Sequence, residues 1–138
     1  LYFNLTGYHT AQEKGGLLFT PAIPAHYALD VALDELIEET VAGRVQRYAA
    51  AAKFLRDGFK NIGLEFLIPE GWRSNCLTGL LLPKGMSYEK LHGELKANGF
   101  VIYAGQGNLS NRIFRIANMG DITHEEFQRL LKVLGKTC

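Results

Sequence analysis

The chain has 138 residues, of which 47% are apolar and 21% are charged, and its formal net charge is +1. These values are typical of about one globular domain with a core of its own, and they exclude disordered, collagen-like and disulfide-scaffold chains. The uncharged apolar runs are far shorter than the roughly 20 residues that a membrane-spanning helix needs. Positive and negative charges balance without a basic cluster, so we expect small molecules or proteins as partners, with no nucleic acid and no membrane.

The chain contains two cysteines, Cys76 within an apolar run and Cys138 at the last position. So few thiols are typical of a reducing compartment, and we therefore expect no disulfide and a cytoplasmic protein. The chain begins without methionine in the strand-like run 1–5. We interpret this beginning as a sign that a larger protein has been cut.

Two prolines shape the first third of the chain. Pro21 and Pro24 restrict the residues before them to extended conformations, which predicts an ordered connector over residues 19–24. Residues 25–40 then place apolar side chains along one side and acidic ones along the other, the pattern of a helix. We expect this helix to end near Gly43.

The rest of the chain alternates between the helical and the strand period. Helices are predicted at 45–62, 88–98 and 124–134, and strands at 64–68, 76–82, 100–103 and 113–117. Glycines follow the first two of these helices, and Thr123 with Glu126 forms a capping box at the start of the last. From residue 64 the order is ββαββα, which predicts an α+β fold: a two-layer sandwich whose largely antiparallel sheet is covered by helices on one face.

Most residues of the types that commonly bind metals or ligands are explained here without a functional site. The four histidines lie in different predicted elements, without the close spacing of metal ligands, so we predict no metal site. Gly105-Gln106-Gly107 follows a strand, as a phosphate-binding turn does, but the third glycine of that pattern is missing, which favours a tight turn. The polar connector 72–75 joins two strands and is either a ligand contact or only a turn; it stays unassigned.

Arg115 is the unusual residue. Ile113 and Ala117 share its side of a strand, while Phe114 and Ile116 face the other way, so a central strand carries its guanidinium towards protein. An unpaired buried charge is very costly, so the charge is compensated either by a carboxylate of the protein or by an anionic ligand. The local sequence favours neither alternative. Thr20, a threonine before proline, is on its own a weak candidate for a ligand contact.

Three motifs in a fixed order carry a family resemblance. They are Phe-Thr-Pro-Ala-Ile-Pro at 19–24, Gly-Phe-Val-Ile-Tyr-Ala-Gly at 99–105, and Phe-Arg-Ile-Ala-Asn-Met-Gly at 114–120. Together they make the chain resemble the C-terminal part of class V aminotransferases, enzymes of fold type I that depend on pyridoxal 5'-phosphate. Within that class it is most similar to the transaminases of 2-aminoethylphosphonate and pyruvate. The glyoxylate transaminases that use alanine or serine are the alternative.

The resemblance implies roles for two residues. In the family, the arginine in the strand before the Met-Gly turn grips the substrate carboxylate, and Arg115 holds that position. The threonine of the Thr-Pro motif reaches the cofactor phosphate of the neighbouring subunit, which implies that role for Thr20 and a homodimer for the intact enzyme. The turn at 104–107 departs from the family, because many phosphonate transaminases have Pro-Gly-Lys there.

The resemblance also implies what this chain lacks. Such enzymes attach the cofactor to a lysine of a large upstream domain, and none of the lysines here stands in that motif. Residues 1–40 are then expected to be the tail of the large cofactor-binding domain, and residues 41–138 the small C-terminal domain. We expect this chain alone to be inactive. A hypothesis from a different class is a non-catalytic α+β module that binds a small molecule or a protein.

Overall fold

The computed structural model describes residues 2–138, and the chain divides between Val41 and Ala42 into two compact units. The first unit contains helices α1 (Leu5–Glu13) and α2 (Ile23–Glu39). No helix in the described part of the chain is both long enough and apolar enough to cross a membrane.

The strand-like reading of residues 1–5 is wrong where the structure describes it. Residues 2 and 3 form a turn, and Leu5 begins α1; Leu1 lies outside the described residues. The Asn4 side chain accepts a hydrogen bond from the Gly7 amide at 3.1 Å, which satisfies one of the free donors at the start of a helix. This cap favours a helix from Leu5 onwards over the predicted strand.

The prediction of a helix over 25–40 is confirmed by α2. The helix begins two residues earlier than predicted, with Pro24 in its first turn, where a missing amide proton costs nothing. It does not end near Gly43 as expected, because Thr40 adopts a left-handed backbone conformation with φ of 67° and breaks the helix there. No residue of α1 or α2 is buried, so both helices leave their apolar side chains uncovered within their own unit.

The second unit contains the remaining helices and the sheet. Helix α3 spans Val41–Asn61 and lies in this unit except for its first residue. It ends before Gly63, whose φ of 77° favours glycine. The elements after it are β1 (Leu77–Leu81), α4 (Tyr88–Ala97), β2 (Tyr103–Ala104), β3 (Ile113–Ala117) and α5 (His124–Thr137), with short 3₁₀ helices at Glu70–Trp72 and Gly107–Leu109. From β1 onwards the predicted order βαββα is confirmed, whereas the first predicted strand, at 64–68, does not form a strand.

The sheet has three strands in the order β1-β3-β2, and both pairings are antiparallel. The strand predicted at 64–68 is reduced to one bridge between Phe66 and Leu80, because Pro69 has no amide to extend the ladder and a 3₁₀ helix follows it. The strand predicted at 100–103 is paired only at Tyr103 and Ala104. In both cases the paired segment is shorter than the apolar run that predicted it.

All three helices of the second unit cover one face of this sheet. Their buried side chains form one core with the inward residues of β1 and β3, namely Leu55, Phe59, Leu91, Leu95, Phe127, Leu130 and Leu134 with Leu80, Phe114 and Ile116. The α+β class and the two-layer arrangement are thereby confirmed. The helices leave the opposite face of the sheet, on which Arg115 lies, uncovered by this core.

The capping box at the start of α5 gives a test of the fold. The Glu126 amide donates to Thr123 Oγ1 at 3.3 Å, and the Thr123 amide donates to Glu126 Oε2 at 3.1 Å. Replacing Thr123 by alanine should lower the free energy of unfolding by about 1 kcal/mol, because a helix donor loses its acceptor. Urea denaturation measures the change. Thr123→Ser keeps the hydroxyl and serves as the control; equal stability of the two variants contradicts the role of the cap.

Candidate functional site

Arg115 lies in the middle of the central strand. In β3 it pairs with Gly79 of β1 on one side and with Tyr103 of β2 on the other. Its neighbours Phe114 and Ile116 are buried in the helical core, so Arg115 points to the opposite face of the sheet, where it is half-buried. The alternation read from the sequence correctly separates Arg115 from Phe114 and Ile116, but the guanidinium lies half-buried on the uncovered face of the sheet and does not enter the helical core as a side chain directed towards protein would.

The guanidinium of Arg115 is anchored at one nitrogen. Its Nε donates to the carbonyl oxygen of Ala104 at 2.8 Å, and its two terminal nitrogens donate to none of the described residues. Within residues 2–138 no carboxylate lies within 4.0 Å of this guanidinium. The compensating carboxylate that the sequence left open as one alternative is thus not found among the described residues.

A cavity of about 310 Å³ opens on this face of the sheet. Its lining includes Phe66, Ile68, Trp72, Arg73, Gly79 and Arg115. The lining is mostly apolar, its only charged side chains are the two arginines, and neither an acidic residue nor a lysine contributes to it. Its chemistry suits a small organic anion, since guanidinium groups bind carboxylate and phosphate oxygens with paired hydrogen bonds.

The connector left unassigned in the sequence contributes to this cavity. Arg73 follows the 3₁₀ helix Glu70–Trp72, and its Nε donates to the carbonyl oxygen of Ile68 at 2.8 Å. Its guanidinium lies 3.9 Å from the centre of the Phe66 ring. Nη1 is buried without a hydrogen-bond partner. Sequence reasoning missed Arg73; its position in a polar connector beside a predicted strand was the available signal.

A buried asparagine holds the end of β3. Asn118 is 2% exposed, and its side-chain amide donates to the carbonyl oxygens of Asn75 at 2.9 Å and Tyr48 at 3.4 Å. Its backbone amide donates to Cys76, and the next turn is tied to α3, because the Gly120 amide donates to the Tyr48 hydroxyl at 3.2 Å. These bonds join α3, the start of β1 and the end of β3. They give the strand that carries Arg115 a fixed end.

The turn at the other end of β3 depends on a glycine. Gly105 is buried, and its amide donates to Ile113 at 3.1 Å. A Cβ atom at this position would lie only 2.3 Å from the backbone oxygen of Leu109. Because the preceding residue, Ala104, accepts the hydrogen bond of Arg115, the turn also positions the arginine. Gly105 is required here for a close backbone approach, as expected of a tight turn.

Thr20 lies in the connector just before α2 and is exposed. The neighbouring Phe19 stacks on Tyr2 with 4.8 Å between ring centres, so the connector is packed against its own unit. Thr20 and Arg115 belong to different compact units. The role of Thr20 remains a prediction.

The lining of the cavity includes no histidine. His9, His26, His92 and His124 lie in α1, α2, α4 and α5 in that order. Among the residues described, no group of three or more histidine, cysteine or acidic side chains is arranged to hold a metal ion.

Curated proteins similar to this chain are aminotransferases. A 2-aminoethylphosphonate–pyruvate transaminase of Bacteroides fragilis is 36% identical over 129 residues, which are 91% of this chain and 35% of that protein. The corresponding enzyme of Lysinibacillus sphaericus is 38% identical over 89% of this chain and 34% of its own length. An uncharacterized aminotransferase of Methanocaldococcus jannaschii is 36% identical over 86% of this chain and 31% of its own. The chain thus spans about a third of the length of these relatives. No protein-family model matches the sequence.

Solved structures similar to the chain are also aminotransferases. Alanine–glyoxylate aminotransferase from Nostoc sp. superposes with a TM-score of 0.85 at 25% identity, over 97% of this chain and 36% of that one. Pyridoxamine–pyruvate aminotransferase from Mesorhizobium loti gives a TM-score of 0.80 at 28% identity, over 86% of this chain and 31% of that one. The part of these enzymes that matches is their C-terminal third.

The close approach at Gly105 gives a second test. Gly105→Ala should destabilise the second unit by about 1 to 3 kcal/mol, because the new methyl group overlaps backbone that cannot yield cheaply. Gly93→Ala is the matched control. That glycine lies within α4 with no atom within 4 Å of an added Cβ, so alanine there should be neutral or stabilising. Thermal denaturation compares them, and equal melting temperatures of the two variants contradict the close packing.

Proposed function

We propose a substrate pair for this chain, which belongs to the class V aminotransferases. The intact enzyme transfers the amino group of 2-aminoethylphosphonate to pyruvate and yields phosphonoacetaldehyde and alanine. Curated relatives named for this reaction, at 35% to 38% identity, support the choice. Because the chain spans only about a third of their length, the activity is proposed for the longer protein.

Arg115 is proposed to bind the acidic group of the substrate. The observation that carries this role is the guanidinium on the open face of the sheet, anchored at Nε, with no carboxylate of the described chain within ion-pair distance. Its free terminal nitrogens match the two oxygens of a carboxylate. A substrate held in this way presents its reacting carbon in a fixed orientation, which lowers the barrier of the chemical step.

The family implies pyridoxal 5'-phosphate, which supplies an electron sink to the reaction when it is bound. The cavity around Arg115 does not fit the reactive end of this cofactor. Attachment needs a lysine, and the ring nitrogen needs an acidic partner, whereas the lining of the cavity contains neither. We therefore assign the cofactor to a part of the enzyme other than this cavity and assign the substrate anion to the cavity itself.

The first unit is proposed to serve the cofactor rather than the substrate. We assign residues 1–40 to the tail of the large cofactor-binding domain and residues 41–138 to the small domain. Thr20 then reaches the cofactor phosphate of a neighbouring subunit in a homodimer. Two observations support this: Thr20 is exposed, and α1 and α2 bury no residue within their own unit. A cytoplasmic location remains a prediction from the cysteine content.

A second candidate keeps the reaction type and changes the substrates to alanine or serine and glyoxylate. The observation in its favour is the likeness to the alanine–glyoxylate aminotransferase of Nostoc sp.. The turn 104–107, which departs from the Pro-Gly-Lys of many phosphonate transaminases, counts against the first candidate. A non-catalytic module is disfavoured, because the relatives that match the chain bear the names of transaminases.

The two candidates differ in the amino donor. The assay uses the longer enzyme loaded with pyridoxal 5'-phosphate. We expect kcat/KM to be at least about tenfold higher for 2-aminoethylphosphonate than for alanine or serine. A tenfold difference corresponds to roughly 1.4 kcal/mol of recognition in the transition state. Each donor is paired with pyruvate and with glyoxylate as acceptors. A preference for alanine or serine with glyoxylate selects the second candidate, and transfer from none of the donors rejects both.

Replacing Arg115 tests its role in the longer enzyme. Arg115→Ala should reduce kcat/KM for pyruvate roughly 30-fold to several thousandfold, corresponding to about 2 to 5 kcal/mol for losing one partner of a buried charge pair. Arg115→Lys should recover part of this loss, because it keeps the charge but not the planar fork.

Melting temperature and cofactor content, measured on the same preparations, provide the control. A variant that loses stability but keeps near-normal kinetics in its folded fraction makes Arg115 a structural residue.

A further inference from the structure

We propose that Arg73 is a second anion-binding residue of the cavity around Arg115 and that it recognises the extra negative charge that distinguishes a phosphonate from a carboxylate. The choice of ligand rests on the proposed function. Arg73 lies outside the three motifs at 19–24, 99–105 and 114–120.

The two arginines are held in the same manner. In each, Nε donates to a backbone carbonyl oxygen at 2.8 Å, that of Ile68 for Arg73 and that of Ala104 for Arg115. The Phe66 ring, 3.9 Å from the guanidinium carbon, further restrains Arg73. A planar group fixed in this way loses little conformational entropy when it binds an anion.

Arg73 is also incompletely satisfied. Nη1 is buried without a partner, and Nη2 donates to none of the residues that the structure describes. Within residues 2–138 no carboxylate lies within ion-pair distance of this guanidinium. Nη2, which is not fully buried, is therefore the donor that Arg73 can offer to an anion in the cavity, and such an anion also supplies the missing negative charge.

The charge of the cavity favours a dianion. Two guanidinium groups line a volume of about 310 Å³ in which there is no acidic side chain. A carboxylate has two oxygens and one charge, which a single guanidinium satisfies. A fully ionised phosphonate has three oxygens and two charges, and it therefore leaves an oxygen and a charge for the second arginine.

The chain contains a built-in reporter for this binding. Trp72 is its single tryptophan, lines the same cavity and is 85% exposed. Its fluorescence can be followed in the 138-residue chain while two probes are added at mildly alkaline pH. The probes are 2-aminoethylphosphonate and β-alanine, which share the aminoethyl group and differ in the acidic group.

We expect tighter binding of the phosphonate than of β-alanine by the unmodified chain. Arg73→Gln should weaken phosphonate binding about tenfold or more and leave β-alanine binding within about twofold. Arg115→Gln should weaken both probes, because that residue contacts the charge that they share. Arg73→Lys should restore part of the phosphonate preference. Arg112→Gln, which removes an exposed arginine outside the cavity, should change neither.

A purely structural Arg73 gives a different result. In that case Arg73→Gln lowers the melting temperature and weakens both probes equally, which overturns the proposal, as does a failure of the unmodified chain to bind the phosphonate. If Arg73→Gln does not fold, the ratio of the affinity for the phosphonate to the affinity for β-alanine is measured on Arg73→Lys instead. A ratio equal to that of the unmodified chain then contradicts the proposal. The measurement uses neither cofactor nor turnover, so it fails or succeeds independently of the transaminase assays.

Discussion

A cation placed on the open face of a central strand is the constraint on which the rest of the structure depends. The helices cover one face of the sheet, and the alternation of β3 sends Phe114 and Ile116 into that core and Arg115 away from it. Apolar packing cannot satisfy a guanidinium, and the single bond from Nε to Ala104 leaves its charge uncompensated among the described residues. The face that carries it is therefore suited to an anion.

Contacts at both ends of β3 hold the strand that carries this arginine. At one end, Gly105 lets the chain approach Leu109 more closely than any side chain permits, and Ala104 thereby presents its carbonyl to Arg115. At the other end, Asn118 donates to Asn75 and so couples β3 to the start of β1. The connector that contains Asn75 also carries Arg73. One set of polar contacts thus supports both cations of the cavity.

How far the sequence predicts this arrangement depends on the range of the interactions. Helices α3 and α5 are recovered, because apolar periodicity and a capping box are local signals. The lengths of β2 and of the pairing at Phe66 are not recovered, since an apolar run does not show how many of its residues find a hydrogen-bonding partner. The strand pattern alone singles out Arg115 as an unusual charge, and its role as a ligand contact is predicted from the family resemblance. Arg73 is missed, because the cavity brings together segments that are far apart in the chain, and only the folded sheet makes them neighbours.

A pair of arginines of unequal role also suits the proposed substrates. A transaminase binds its amino donor and its acceptor in turn, and the proposed donor ends in a phosphonate whereas the proposed acceptor ends in a carboxylate. A single site must then accept either one or two negative charges. Arg115 lies on the sheet and Arg73 on the connector; in the proposed arrangement Arg115 binds the charge common to both, and Arg73 is needed only for the second. A lysine in place of either would keep the charge but lose the paired hydrogen bonds that distinguish the two acidic groups. The division of labour between strand and connector thus accounts for how one cavity can serve two anions of different charge.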